Sequence, residues 1–172
     1  MDQRPYYLRQ NVTQLKQGAK LLRSISDEAY TTTAHEYFGS GIGRHVRHIL
    51  DHYTCFLEGE GTVDYDARNR DERLEIDRSH ALRTLDSIVE RLESSGDGGN
   101  VRLVIHCNEG IEGSEASTGS ESSVLRELQY PASHTVHHYA IIGFILKILG
   151  HAIPENFGVA PSTIAHEKRK AE

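Results

Sequence analysis

The segment 134-HTVHHYAIIGFILKIL-149 opens on a histidine cluster and runs without a break into the most apolar stretch of the chain. At about 100° per residue on a helix, His134 and His138 share one face. Ile141, Ile145, Ile148 and Leu149 continue the same stripe, so the face carrying the two histidines is expected to turn toward the core. His137 falls to one side. Two inward imidazoles one turn apart can hold a metal ion from one side, as the two histidines of an HExxH helix do. The plainer reading is a pair of core histidines satisfied by hydrogen bonds. A second histidine cluster upstream shifts the balance toward a metal.

That second cluster lies in 41-GIGRHVRHILDHY-53. Ile42, Val46, Ile49, Leu50, Tyr53, Phe56 and Leu57 recur at helical spacing, and predict a helix from Ser40 or Ile42 to Glu58, closed by Gly59 and Gly61. His45, His48 and His52 run along one edge of its apolar face, with Arg44, Arg47, Asp51 and Glu58 opposite. Singly, boundary histidines are ordinary amphipathic filler. Three on one edge repel one another or lose solvation unless something partners them. A metal is one such partner, and the carboxylates of Asp51 or Glu127 are another. His45 and His52 lie nearer the centre of the apolar face, and His48 lies furthest toward the polar side. Helix geometry alone also allows His48 and His52 as a second HxxxH pair.

The rest of the chain supplies the setting. Leu8, Val12, Leu15, Ala19 and Leu22 describe a first helix from Pro5 to Ile25. The Thr-, Ser- and Gly-rich stretch 26–41 reads as a connection with one short helical turn. Residues 59–73 are polar and turn-rich, a loop over one end of the fold. A third helix carries Leu74, Ala81, Leu82, Leu85, Ile88, Val89 and Leu92, and stops at Ser94, Ser95 and Gly96. Val101, Leu103 and Ile105 then alternate with Arg102, Val104 and His106, the pattern of a strand, and residues 110–120 are read as a weak return strand or a loop. Ser122 or Ser123 is the expected cap of the fourth helix, which carries Val124, Leu125 and Leu128, is kinked at Pro131 and ends at Gly150. From about residue 154 the tail shows no period, with Phe157 and Val159 as its anchors.

Composition narrows the function. With 172 residues the chain fits a single domain, residues 1–172, with enough mass for a core. A formal net charge of −6 leaves no basic footprint for nucleic acid. The longest apolar run, Tyr139 to Leu149, is too short to span a membrane. The N-terminal residues MDQRPYYLRQ lack the apolar core of a signal peptide. Cys55 and Cys107 form no disulfide framework and no CxxC site, so a cytoplasmic protein with reduced thiols is expected. The chain holds 11 histidines, and the two clusters concentrate them.

Four amphipathic helices predict an all-α fold, a four-helix bundle with a short β-hairpin-like insertion between the third and fourth helices. Such bundles build metal sites from facing helices. His134 and His138 would meet one histidine of the upstream trio. Three nitrogen ligands with an open fourth position form a catalytic rather than a closed structural arrangement.

A bundle with GIGRHVRHILDHY in its second helix and SSVLRELQYPASHTVHHYAIIG in its fourth resembles the DinB/YfiT-like superfamily over essentially the whole chain, including the FGVAPST tail. The resemblance implies metal ligands at His48, His134 and His138, and a divalent metal such as zinc or nickel. It also implies a small-molecule substrate, with a low-molecular-weight thiol activated by the metal in a transferase reaction, and a homodimer. Arg44, Arg47 or Arg126 would hold carboxylates of a thiol cofactor. Glu127, two turns before His134, would orient a ligand imidazole or serve as a carboxylate at the bundle end; His52 stands beside the set in a similar supporting role. The other readings are a metal-binding or stress-associated module without turnover, and a metal-dependent hydrolase.

Overall fold

The computed structural model describes residues 5–33, 36–37, 39–95, 99–107 and 119–171. The chain is mostly helical, with four long helices: α1 (Tyr6–Ser24), α3 (Ile42–Glu58), α5 (Arg78–Ser94) and α6 (Val124–Ile148). α1 and α3 each pack on both α5 and α6. Between them stand the short α2 (Asp27–Thr31) and α4 (Arg73–Ile76), a sheet of β1 (Thr62–Asp64), β2 (Arg102–His106) and β3 (Gly119–Ser123), and a terminal α7 (Pro161–Ala171).

The helices begin and end where side chains and glycines dictate. Pro5 precedes α1, where its missing N–H costs nothing, and its carbonyl accepts from Arg9 N at 3.1 Å. Ser26 caps α2 by accepting from Ala29 N, and Ser123 caps α6 by accepting from Arg126 N. Leu8, Val12, Leu15, Ala19 and Leu22 of α1 join Val46, Ile49, Leu50, Leu85, Ile88, Ile142, Ile145 and Leu146 in one core. Two glycines let elements approach closely. A Cβ on Gly18 would lie 2.0 Å from Tyr139 Oη, which instead donates to the Gln14 carbonyl at 3.1 Å. A Cβ on Gly43 would lie 2.0 Å from the Glu75 carbonyl oxygen, so α4 rests directly on the α3 backbone.

Four features differ from the sequence reading. The third helix is split, because Asp77 accepts from His80 N at 2.8 Å and starts α5 afresh, leaving Leu74 on the separate α4. The polar stretch 59–73 contains β1, which pairs parallel with β2 (Val63 with Ile105) while β3 pairs antiparallel (Val104 with Glu121). Val63, Tyr65, Leu103 and Ile105 form a second small core under that sheet, so the insertion is a three-stranded sheet and not a hairpin alone. The tail is helical from Pro161, with none of its helical residues buried. In α6 the buried stripe is Leu128, Thr135, Tyr139, Ile142 and Leu146, with His134 and His138 half-buried along its edge. The core-facing stripe is therefore centred one residue over from the one that carries the histidines, with Ile145 of the expected face fully buried in it.

α6 continues through Pro131 for 25 residues. The return strand expected at 110–120 falls mostly outside the described residues; its described part opens β3. Phe157 is buried and stacks on Tyr139 at 4.5 Å, as an anchor should. No helix among the described residues is long and apolar enough to cross a membrane.

Candidate metal centre

α3 and α6 cross antiparallel, and the crossing zips two rows of rings together. Going up α3, His45, His48 and His52 meet His138, His134 and Tyr130 in falling order. His45 Nδ1 lies 2.9 Å from His138 Nδ1, and His48 Nε2 lies 2.8 Å from His134 Nε2. His138 Nε2 also approaches His134 Nε2, at 3.1 Å. The His134 nitrogen thus has two other imidazole nitrogens at close range. The ring centroids of His48, His134 and His138 stand 4.5–4.9 Å apart pairwise.

His52 completes the group from below. Its ring lies 4.6 Å from that of His48 and 4.9 Å from that of His134. His48, His52 and His134 each offer a nitrogen within 4.8 Å of the others, and this three-histidine group could hold a metal ion. His45 is held between Ser40 Oγ, at 3.1 Å, and His138. His137, as its helical angle suggested, is exposed.

The electrostatics favour neutral rings. Burial, reinforced by His134 and Arg68, pulls His48 down to about 4. Burial, then His134 and His48, pulls His138 down to about 3. Burial, then His48 and Arg68, takes His52 down to about 2. His134 is lowered by burial and by His137, and His45 by burial and Arg44. Neutral imidazole is the ligand form. One proton can serve each N···N contact as a hydrogen bond, but one nitrogen cannot satisfy two such neighbours equally. Three nitrogens on a tetrahedral ion with bonds of about 2.0–2.1 Å stand roughly 3.3 Å apart. The observed 2.8 and 3.1 Å differ from that by a few tenths, so these two contacts suit a divalent cation, while the three-histidine group whose nitrogens all lie within 4.8 Å of one another is His48, His52 and His134.

The remaining candidates fall in different places. Glu127 is buried, but it accepts from Tyr65 Oη at 2.8 Å and Ser122 Oγ at 2.6 Å, and Arg126 lies 3.7 Å away. Among the described residues its hydrogen-bond donors are hydroxyls, not imidazoles, and Tyr65, whose ring lies 5.2 Å from that of His52, links it to the cluster. Arg47 is paired with Glu75 at 2.9 Å, Arg126 also lies over the Tyr130 ring, and Arg44 is exposed. Cys55 donates to the Asp64 carbonyl, and burial raises its thiol pKa, which argues against a resting thiolate. Cys107 is exposed, and neither cysteine forms a disulfide.

Three neighbours were not anticipated. Tyr130 stacks on His134 at 5.4 Å with 17° between the planes, and its place one turn before His134 was a usable signal. Tyr65 and Arg68 come from the stretch read as loop, where only the Val63–Tyr65 alternation hinted at structure. Arg68 Nη1 lies 3.4 Å from His52 Nε2.

With this geometry in view, comparison with known proteins decides the lineage. The model of the DinB family matches residues 1–162. The chain belongs to the DinB family. Among curated proteins, this DinB chain is similar to FK506-binding protein 5 of Rhizopus delemar, 34% identical over 110 residues. That match covers 63% of the DinB chain but only 28% of the fungal protein. No solved structure matches the chain significantly.

Proposed function

We propose that this DinB protein holds a divalent metal ion, zinc or nickel, on His48, His134 and His138, and that it transfers a low-molecular-weight thiol to an electrophilic small molecule. In the same reading, the ring formed by the four long helices is the four-helix bundle of the DinB/YfiT type. The observation that carries the metal reading is the convergence of His48 Nε2 and His138 Nε2 on His134 Nε2, at 2.8 and 3.1 Å.

Arg68 favours His138 over His52 as the third ligand. His52 Nε2 faces a guanidinium N–H at 3.4 Å, which makes it an acceptor for Arg68. A nitrogen that accepts from a cation is a poor donor to a second one. His52 then keeps its proton on Nδ1, which is buried with no hydrogen-bond partner. His45 holds His138 in place through the Nδ1 contact, and Tyr130 fixes the plane of His134 by stacking.

A divalent ion held there supplies Lewis acidity, which lets a thiol or a water molecule lose its proton near neutral pH. The residues around it keep the imidazoles neutral and shield one side with Tyr65 and Tyr130. The fungal relative is named for binding FK506, but the stretch shared with this chain is a minor part of that protein, so the name carries no assignment here.

Elemental analysis of protein purified without an affinity tag tests the metal. One ion per chain that disappears in His134→Ala supports the reading, and metal-free wild type refutes it. Thiols screened against an epoxide or chlorinated compound then separate a transferase from a metal module without turnover. Hydrolysis of a test ester without thiol would point to the hydrolase alternative.

A further inference from the structure

We propose that Arg68 forms an anion subsite beside the histidine cluster, so that the small molecule taken there carries a carboxylate. The inference deepens the functional reading above and rests on it for the identity of the reacting group. Arg68 follows β1 and reaches back to α3, where Nη1 contacts His52 Nε2 at 3.4 Å. Its Nε is sealed from solvent with no hydrogen-bond partner. Arg47, Arg73, Arg78 and Arg126 all pair with carboxylates, yet no carboxylate of the described residues forms an ion pair with Arg68. Its charge is felt at Asp51, where Arg47 is the stronger cationic neighbour.

A guanidinium has five N–H groups in a rigid fork. Here one is directed at an imidazole and another is buried with nothing to accept it. The sealed Nε is closed to an incoming molecule, but the half-buried side chain keeps further Nη N–H groups that no described carboxylate takes, and a planar oxyanion suits that end of the fork. The position matters as much as the chemistry. The His52 ring that contacts Arg68 stands under 5 Å from the rings of both His48 and His134. A molecule of a few atoms can therefore put a carboxylate on Arg68 and a thiol at the imidazole nitrogens. Arg44, Arg47 and Arg126 are exposed or engaged elsewhere, which leaves Arg68 as the arginine the structure assigns to this task.

The experiment uses the full chain labelled with nitrogen-15, its metal content measured beforehand. The Arg68 Nε–H resonance is identified by its absence from Arg68→Lys. Thioglycolate, acetate and 2-mercaptoethanol are then titrated in turn. The two carboxylates are expected to shift that resonance saturably, and 2-mercaptoethanol to leave it in place. Thioglycolate should bind more tightly than 2-mercaptoethanol by about tenfold or more, since a charged hydrogen bond is worth that much. Arg68→Ala should abolish the preference with metal content unchanged. A resonance unmoved by both carboxylates, or a preference that survives Arg68→Ala, overturns the proposal and leaves an unsatisfied or water-bonded arginine. Metal-free wild type would instead refute the metal reading, and the acetate arm would still decide the role of Arg68.

Discussion

His48 and His134 face each other across the α3–α6 crossing with their Nε2 atoms 2.8 Å apart. Two neutral rings at that distance share one proton at most, and the approach of His138 to the same atom leaves a contact that a cation would relieve. Single alanine substitutions at His48, His134 and His138 are each expected to remove the bound metal, with the helical circular dichroism retained. His52→Ala is expected to keep it. Metal lost from the His52 variant and kept by the His138 variant, measured per chain by elemental analysis, would move the third ligand to His52.

The same rings make stability depend on pH. In the unfolded chain these histidines titrate near the ordinary 6.5, whereas in the native protein His48 and His138 lie at about 4 and 3. Between those values the unfolded chain binds protons that the native one does not. The stability of metal-free protein is thus full above pH 6.5 and declines as pH falls toward 5. Urea midpoints from pH 7.5 to 5 measure the decline, and His48→Asn should flatten it. A midpoint constant over that window would show that the rings are not buried as neutral groups.

Metal bound only by the native state stabilises by mass action, about 2.7 kcal/mol at a hundredfold excess over its dissociation constant. A chelator should lower the melting temperature of the wild type and leave His134→Ala unmoved. Equal shifts in both would place the metal elsewhere.

Gly43 is fixed by contact, since a Cβ there would meet the Glu75 carbonyl at 2.0 Å and Tyr30 at 3.0 Å. Gly43→Ala should push α4 off α3 and cost about 1–3 kcal/mol in urea unfolding. An unchanged midpoint would mean that α4 yields freely.

Tyr65→Phe removes the hydroxyl that donates to the buried Glu127. Losing a donor to a buried carboxylate costs about 1–3 kcal/mol. Metal content should not change. If it falls, Glu127 acts on the imidazoles through Tyr65 more strongly than its two hydroxyl donors suggest.

The parts of the molecule legible in the sequence were those with a period or a cap. α1 and α3 follow their apolar repeats to within a residue, and α6 starts after the expected Ser123. The helical break at Asp77 was hidden because Leu74 fits the α5 stripe, while a single capping side chain overrides it. β1 was missed because its alternation lasts three residues inside a charged run, and only β2, far along the chain, makes it a strand. α7 buries nothing, so it leaves no apolar period to read; Pro161 at its first position and the good helix formers Ala165 and Glu167 to Lys170 were its only signals. Histidine enrichment pointed to the two helices whose imidazoles meet at the crossing. Arg68 carried no local sign, since its meaning comes entirely from the distant ring it touches.

The His48–His134 contact joins residues 86 apart in sequence, and β1 finds its partner β2 only after α4 and α5 have been laid down. Both are late, long-range closures that must spend chain entropy before they return anything. An ion can therefore recognise the finished crossing but cannot nucleate it. Refolding should start from the local helices at a rate indifferent to zinc, with the metal slowing only the return journey to the unfolded chain.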